Sequence, residues 1–372
     1  MYKVLVFGMT ENPGGVESVI INYYRNIDKT KIQFDFLCNF HEDAAYEDEL
    51  KALGGKVFHI TARSDDYRRY KAELEDFFRS SQGTYQAIWV NVCSLANIDY
   101  LILAKKYGIP RRIIHSHNSQ NMDSRLRGML HKFNRKRIAR YATDFWSCSE
   151  DAARWFYEDR LLSKVVMIRN AISVPQMAFC GKKRQKYREM LNCKDEYVIG
   201  NIGRLHFQKN QKFCLAIFRE FLKQQPNAKL VFIGQGEDET LLKETACMYG
   251  IEKQVCFAGM QTDIAGWLSA LDIFLFPSKF EGLGIAALEA QANGLPVLAS
   301  AEVIPEDVKI NRNFVFFDLK KSAAEWSEEL IRMEHQEVRE NPETVFRNFE
   351  SRGYNIETEV KKLEELFLKD AL

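Results

Sequence analysis

Short apolar runs alternate with longer segments of helical periodicity, and this alternation occurs twice along the chain. Apolar runs of this length are typical of buried parallel strands, and the amphipathic segments between them are typical of crossover helices. In the first half the predicted strands are residues 3–7, 33–37, 56–59, 87–92, 112–115, 143–148 and 165–168. In the second half they are residues 197–202, 229–233, 254–258, 272–276 and 296–299. The pattern predicts an α/β protein with two doubly wound domains.

The length of 372 residues suits two domains better than one core. We predict an N-terminal domain over 1–172 and a C-terminal domain over 195–353. Residues 173–194 are polar, basic and poor in strand pattern, so we expect a linker there. Residues 354–372 carry Ile356, Val360 and Leu363 at helical spacing, which predicts a C-terminal helix that packs back on the N-terminal domain.

Charge and cysteine content narrow the class of protein. The net charge of +1 gives no overall attraction to nucleic acid, and few aromatic residues are interleaved with the basic ones, so we expect no nucleic-acid partner. The eight cysteines form no CxxC pair and suit a reducing compartment. The first residues enter a strand at once, without the apolar region of a signal peptide. We therefore expect a cytoplasmic protein.

The segment 280–289 places two carboxylates, Glu281 and Glu289, eight positions apart at the start of a predicted helix. It follows a buried strand, and the backbone N–H groups of Gly282, Leu283 and Gly284 would point toward an anion at the helix N-terminus. A diphosphate fits such a helix end, with both carboxylates available to sugar hydroxyls. The alternative is that Glu281 complements the helix dipole and Glu289 is an ordinary solvated carboxylate.

Two other segments follow predicted strands, at the sheet edge where α/β proteins bind ligands. Gly14 and Gly15 lie in a loop that opens a helix and would allow a ligand close to the backbone, unless the loop is only a tight turn. Arg204 and Lys209 follow the first strand of the second half and could bind phosphate oxygens. The alternative for this pair is solvated loop charge.

Two histidines, His115 and His117, end an apolar strand of the first half. One of them could face a reacting sugar, and the alternative is a structural histidine bonded to backbone. Cysteine and histidine are absent at zinc-ligand spacing, so we expect no metal.

Positive charge is concentrated in residues 105–140, which hold eleven Lys or Arg and the single acid Asp123. Leu126, Met129, Leu130 and Phe133 add an apolar face, as in a helix that lies on an anionic membrane. The alternative is an ordinary helix with its apolar side in the core. The basic residues predicted to face the membrane or the acceptor are Arg125, Arg127, Lys132, Arg135, Lys136 and Arg137.

Taken together, these motifs resemble a known family. The segments GGVE at 14–17, HSHN at 115–118, GRLHFQKN at 203–210, GQGE at 234–237 and FEGLGIAALEAQANGLPVLAS at 280–300 are similar to those of family-4 retaining glycosyltransferases. Bacterial enzymes of exopolysaccharide and capsule assembly are the most similar members. The resemblance covers the whole chain and implies the GT-B fold, with two Rossmann-like domains facing across a cleft.

The resemblance also implies roles for single residues. Arg204 and Lys209 would bind the donor diphosphate, Glu289 the nucleotide ribose and Glu281 the donor sugar. His117 would lie near the transferred sugar, and Gly14 and Gly15 would line the diphosphate from the other domain. Catalysis would then depend on Glu281, His117, Arg204 and Lys209, without a metal or other cofactor.

The function expected from this resemblance is transfer of a hexosyl or N-acetylhexosaminyl group from a nucleoside-diphosphate sugar, in particular a UDP-sugar. The acceptor would be a glycan or a polyprenyl-diphosphate-linked saccharide in cell-surface polysaccharide synthesis, with peripheral binding to the inner face of the membrane. We expect same-face substitution rather than a covalent intermediate, because no carboxylate nucleophile is evident. The alternatives are a nucleotide-sugar 2-epimerase and a non-catalytic sugar-nucleotide-binding module.

Overall fold

A computed structural model describes residues 1–118, 125–281, 283–336 and 338–369. The chain divides into two compact units. Unit 1 comprises Met1–Ala171 and the last helix, and unit 2 comprises Ile172–Asn355. Unit 1 is therefore made of two separate pieces of the chain, because unit 2 lies between them in the sequence.

Unit 1 is a parallel sheet with flanking helices. Its strands follow the order β3-β2-β1-β4-β5-β6-β7, which is doubly wound about β1. Val4 in β1 pairs with Phe34 on one side and Ala87 on the other, and all three are buried. The elements of the first piece are β1 (Tyr2–Phe7), α1 (Gly15–Asn26), β2 (Ile32–Cys38), α2 (Glu47–Ala52), β3 (Val57–His59), α3 (Tyr67–Ser80), β4 (Ala87–Val92), α4 (Asp99–Lys106), β5 (Arg111–Ser116), α5 (Arg125–Arg135), β6 (Asp144–Ser147), α6 (Glu150–Phe156), α7 (Asp159–Leu162) and β7 (Val165–Met167).

Unit 2 repeats this architecture with the strand order β10-β9-β8-β11-β12-β13. The central strand β11 reads Ile-Phe-Leu-Phe and is fully buried, as expected for a parallel strand covered on both faces. Its elements are α8 (Val174–Met177), α9 (Gly181–Met190), β8 (Tyr197–Ile202), α10 (Gln211–Phe221), β9 (Ala228–Ile233), α11 (Glu239–Met248), β10 (Val255–Phe257), α12 (Ile264–Ala270), β11 (Ile273–Phe276), α13 (Ile285–Ala292), β12 (Val297–Ser300), β13 (Phe314–Phe317), α14 (Ala323–Gln336) and α15 (Pro342–Arg352).

The last helix, α16 (Ile356–Leu368), belongs to unit 1. Phe367 is fully buried, and its ring lies 5.5 Å from that of Trp146 and 6.0 Å from that of Trp89. The backbone N–H of Asp28 donates to Glu364 at 2.6 Å. The helix thus completes the aromatic core of unit 1.

The predicted fold class, α/β with two doubly wound parallel sheets, is confirmed. Two details of the prediction are wrong. Residues 173–194 are not a linker, because α8 and α9 form there and pack within unit 2. The strand β13 was not predicted, although its four residues pair with β12 at the edge of the sheet.

Candidate active site

Two loops of unit 2 meet where the neighbouring strands β8 and β11 end. The loop after β8, residues 203–210, carries Arg204 and Lys209, and the loop after β11, residues 277–284, carries Glu281. Three hydrogen bonds join the loops: Lys279 N to Gln208 O at 2.8 Å, Gln208 Nε2 to Phe280 O at 3.0 Å, and Asn210 Nδ2 to Pro277 O at 3.0 Å. These contacts hold Lys209 and Glu281 close to each other.

Lys209 and Glu281 form an ion pair, with Nζ 2.7 Å from Oε1. The side chains are 18% and 6% exposed, so water screens the pair only partly. The Lys209 ammonium also lies 5.1 Å from the centre of the Phe276 ring. Its aliphatic stem packs on Gly203, where a Cβ would come within 3.0 Å of Lys209 Cε. The structure therefore brings these two predicted site residues into direct contact.

Arg204 has a different environment. Its side chain is 70% exposed, and Nε lies 3.1 Å from Oε2 of Glu237 in the loop after β9. Nε2 of His206 lies 3.3 Å from the other oxygen of the same carboxylate. The loop backbone is held by Gln211, whose Nε2 donates to the Arg204 carbonyl at 3.0 Å. Arg204 is thus held by Glu237, and its charge remains accessible to a ligand.

The loops after β8 and β9 also approach closely, which explains two glycines of the GQGE motif. A Cβ on Gly234 would lie 2.1 Å from the Gly203 carbonyl oxygen, and a Cβ on Gly236 would lie 2.2 Å from that of Leu205. Gly234 also has a φ of 135°, which disfavours other residues. These glycines therefore shape the β8 loop that carries Arg204 and Lys209.

The helix α13 begins directly after Glu281 and its glycines. Gly284, at a φ of 83°, is the N-cap residue. Because glycine has no side chain, it cannot cap the N–H groups of the first turn. A free helix N-terminus of this kind favours an anion. Leu283 is buried, and Gly282 lies outside the described residues.

Glu289 lies one turn into α13 and is partly buried. Burial raises its pKa to about 7, and the positive charge of Lys209 partly opposes this rise. The electrostatic influence of Lys209 thus reaches both carboxylates of the motif. Glu289 therefore titrates near neutral pH in the unliganded protein.

In unit 1, the glycine loop leads from β1 into α1. Gly14 is the N-cap of α1, which begins at Gly15. The Thr10 hydroxyl donates to Glu17 Oε1 at 2.7 Å, and a Cβ on Gly14 would lie 2.7 Å from the other oxygen of that carboxylate. Burial raises the pKa of Glu17, and the hydrogen bond from Thr10 partly offsets this effect. Thr10 and Glu17 therefore set the shape of the loop, a role that the sequence prediction missed.

His117 lies at the end of β5 and is buried together with His115. Their ring centres are 4.1 Å apart, and both rings contact the side-chain oxygen of Asn91 in β4. Burial lowers the pKa of His117 to about 3 and that of His115 well below its ordinary value. Both imidazoles are therefore neutral at physiological pH. A polar Asn inside the apolar run of β4 is the signal that could have revealed this cluster.

The helix α5 exposes three of its four large apolar residues, and the fourth, Leu130, is half-buried. Leu126, Met129 and Phe133 are 62%, 61% and 56% exposed, whereas the buried positions are His131 and Asn134. The alternative of an ordinary helix with these residues in the core is thus wrong. The predicted basic residues differ among themselves in their contacts. Arg125, Arg127, Lys132 and Lys136 are exposed, Arg135 donates to the carbonyls of Arg154 and Tyr157, and Arg137 stacks on Phe133.

The described part of the chain lacks two features, a cluster of metal ligands and a membrane-spanning helix. Among those residues, His, Cys, Asp and Glu do not cluster in groups of three or more that could hold a metal ion. Within the same residues, every helix is too short or too polar to cross a membrane.

Comparison with known proteins identifies the class. Residues 183–349 match the family described as "Glycosyl transferases group 1", and this range includes Arg204, Lys209, Glu281 and Glu289. Residues 183–349 therefore form a group 1 glycosyltransferase domain, which confirms the family resemblance of the motifs in this part of the chain.

Individual relatives agree with this class. The putative glycosyltransferase EpsF of Bacillus subtilis is 28% identical over 331 residues, which cover 86% of this chain and 85% of that protein. An Escherichia coli enzyme, UDP-Gal:alpha-D-GlcNAc-diphosphoundecaprenol alpha-1,3-galactosyltransferase, is 26% identical over 55% of this chain and 54% of its own length. A crystal structure of Anabaena HepE in complex with UDP and glucose superposes with a TM-score of 0.79 at 16% identity, covering 98% of this chain and 99% of HepE. This similarity confirms the GT-B fold.

Proposed function

We propose that this protein is a retaining, metal-independent glycosyltransferase that uses a UDP-sugar as donor. The transferred group is a hexosyl or N-acetylhexosaminyl residue, and the acceptor is a hydroxyl of a glycan or lipid-linked saccharide in cell-surface polysaccharide synthesis. The observation that carries the proposal is the Lys209–Glu281 pair beside the free N-terminus of α13. It offers one cation, one carboxylate and a helix N-terminus without a side-chain cap to a single ligand that contains both phosphate and hydroxyl groups.

In the proposed reaction, the bond between the anomeric carbon and the diphosphate oxygen breaks, and the electron pair leaves with the diphosphate. Lys209, Arg204 and the α13 N-terminus stabilise the negative charge that develops there. The acceptor oxygen bonds to the anomeric carbon on the same face, and its proton passes to the departing diphosphate. Glu281 binds hydroxyls of the donor sugar and Glu289 those of the ribose. In unit 1, Gly14 and Gly15 suit a phosphate group close to the backbone, and His117 suits a sugar hydroxyl.

The relatives support the choice of donor and acceptor. The name of the Escherichia coli relative specifies a UDP-galactose donor and a diphosphoundecaprenol-linked acceptor, and the HepE crystals contain UDP and glucose. A lipid-linked acceptor also agrees with the exposed apolar and basic residues of α5, since such a helix suits an anionic membrane surface. We therefore propose that α5 binds the membrane that holds the acceptor.

A thermal-shift experiment tests the donor site. The purified protein is heated with the diphosphates of uridine, guanosine and adenosine and with their sugars, because a ligand that binds only the folded state raises the apparent melting temperature. We expect a shift with uridine compounds that is lost in Arg204→Ala and Glu289→Ala but kept in Arg219→Ala, an exposed arginine on α10. If no nucleotide shifts the melting temperature, the proposed donor site is wrong. If a nucleotide sugar does bind, product analysis with and without an acceptor distinguishes sugar transfer from epimerisation of the donor.

A further inference from the structure

Asn91 is a buried polar residue in the apolar strand β4, and it links three parts of unit 1. Its side-chain oxygen Oδ1 lies 2.9 Å from Nε2 of His117 and 3.1 Å from Nδ1 of His115. Its nitrogen Nδ2 lies 3.4 Å from the carbonyl oxygens of Phe7 and Trp89. Asn91 is 2% exposed, so these protein groups are its main partners.

The contacts of Nδ2 determine which way the amide points. The carbonyls of Phe7 and Trp89 can only accept hydrogen bonds, so the NH₂ group must face them. The amide oxygen then faces both imidazoles and can only accept from them. It follows that the proton of neutral His117 is on Nε2, because this is the ring nitrogen that faces Asn91.

This tautomer leaves Nδ1 of His117 as an acceptor. The atom is buried and has no hydrogen-bond partner in the described part of the chain. His117 is 6% exposed, and its backbone N–H donates to Val92 O at 3.2 Å, which fixes the residue at the end of the sheet. A buried acceptor without a donor costs free energy unless a ligand supplies one.

We propose that Asn91 is a positioning residue that keeps His117 protonated on Nε2, so that Nδ1 accepts a hydrogen bond from a hydroxyl of the sugar substrate. This inference rests on the proposed glycosyltransferase function. A neutral imidazole in the opposite tautomer would carry an N–H at the same point, so it could only donate to the hydroxyl oxygen and could not accept the hydroxyl proton. Asn91 thus acts on the substrate through His117, without touching it.

The glycine loop constrains the same residue. A Cβ on Gly8, the first residue after β1, would lie 2.5 Å from the Asn91 carbonyl oxygen and 2.7 Å from the Asn91 Cβ. Gly8 also has a φ of 132°. The loop that leads to Gly14 therefore starts in contact with Asn91, which holds that strand residue in place.

Nitrogen NMR of the full-length protein with isotope-labelled histidine tests the tautomer directly. The His117 signal is assigned by its loss in His117→Gln. We expect wild-type His117 to carry its proton on Nε2, and Asn91→Leu to give a mixture of tautomers. Asn201→Leu serves as the matched control, because Asn201 is a buried strand asparagine of unit 2 that donates to Leu275 O. A wild-type proton on Nδ1, or an unchanged His117 signal in Asn91→Leu, would overturn the proposal.

Asn91→Asp gives a second readout if the leucine variant folds poorly. The carboxylate still accepts from Nε2, so the tautomer is kept, but its charge raises the pKa of His117. Activity should then be lost on acidification at a higher pH than in wild type, since cationic imidazole cannot accept a hydrogen bond. In Asn91→Leu we expect kcat/KM to fall about tenfold at all pH values, as for one lost hydrogen bond. Wild-type protein with the expected tautomer but without nucleotide-sugar binding would contradict the proposed function alone.

Discussion

In the unliganded protein, Lys209 already has a counterion in Glu281. If Lys209 binds the donor diphosphate as proposed, the diphosphate competes with Glu281 for the ammonium, and the carboxylate then loses part of its charge pairing in a poorly solvated position. A nucleotide sugar supplies hydroxyls that Glu281 can bind instead. The pair should for this reason favour the sugar-bearing donor over the bare nucleotide product.

Glu281→Gln tests this expectation. Because the variant removes the competing negative charge, we expect UDP to bind about fivefold more tightly, equivalent to roughly 1 kcal/mol. Transfer should fall at the same time, since the sugar loses a charged partner. Isothermal titration with UDP and with UDP-sugars measures both effects. Glu325→Gln is the control, because Glu325 forms a solvent-exposed pair with Lys321 at 2.8 Å. Weaker UDP binding by Glu281→Gln would contradict this role of the pair.

Glu289 predicts a pH dependence of stability. Its folded-state pKa of about 7 lies above the ordinary value of 4.5, so the folded protein holds this proton more tightly than the unfolded chain does. The stability that depends on this proton is therefore present below pH 4.5 and is lost as the pH rises through 7. Glu289→Gln cannot ionise, and should gain stability relative to wild type at pH 8 but not at pH 4. Urea unfolding at both pH values measures the difference. The prediction is contradicted if Glu289→Gln and wild type differ in unfolding free energy by the same amount at both pH values. It is also contradicted if the exposed control Glu244→Gln shows the same trend.

Single site residues were partly predictable from sequence. Lys209 and Glu281 could be chosen because each follows an apolar strand, and strand ends meet at one edge of a parallel sheet. Their direct pairing was not predictable, since it depends on the hydrogen bonds of Gln208 and Asn210 to the opposite loop. Asn91 was missed because strand patterns report burial but not which buried group needs a hydrogen-bond partner.

At the scale of elements, α5 has an unusual distribution of exposed residues. Three of its four large apolar side chains are exposed beside basic residues, so both faces needed for an anionic membrane are available. We expect the variant Leu126→Ser, Met129→Ser, Phe133→Ser and the variant Arg125→Gln, Lys132→Gln, Lys136→Gln each to lose most binding to vesicles that contain anionic lipid. Arg135 is left unchanged, because it holds two backbone carbonyls.

Vesicle co-sedimentation measures this binding, with neutral vesicles as the lipid control. Matched protein controls remove equal numbers of exposed groups from unit 2: Met190→Ser, Leu241→Ser, Met248→Ser for the apolar set, and Lys182→Gln, Lys186→Gln, Lys194→Gln for the basic set. If wild type does not sediment with anionic vesicles, or if the control variants lose as much binding, α5 is not a membrane-binding helix.

The helix α9 shows why the predicted linker was wrong. Its sequence is so polar that helical periodicity does not stand out, yet it docks through arginines. Arg184 Nη1 donates to the carbonyls of Ser269 and Leu271 at 3.0 Å, and Arg188 lies 3.1 Å from Asp272. Since a hydrophobic pattern does not record docking by charged side chains, the sequence indicated a loop. The strand β13 was missed although it is an apolar run of four residues, Phe314–Phe317, that pairs with β12.

At the scale of the whole molecule, the two doubly wound sheets were predictable from the alternation of apolar runs and helical segments along the sequence.

The part that α16 plays in the core of unit 1 has a measurable consequence. Phe367→Ala should destabilise unit 1 by about 3 to 5 kcal/mol, as for other buried aromatic residues. Hydrogen exchange of the backbone amides measures this local stability. The amides of β1 and β4 should be less protected in the variant, and those of β8 and β11 should be equally protected. Glu365→Ala, an exposed change on the same helix, is the control, and an equal loss of protection in both units would contradict this assignment.

Because unit 1 consists of two pieces of the chain, its synthesis begins before that of unit 2 but is completed after it. A ribosome makes β1 through β7 first, but the aromatic core around Trp89 and Trp146 lacks Phe367 until the last helix leaves the exit tunnel. Unit 2 is encoded between the pieces and has all of its own residues before then. The second unit can thus reach its native state while the first still exposes apolar surface. At an elongation rate of about 5–20 residues per second, the nascent first unit waits on the order of ten seconds or more in a form that chaperones would recognise.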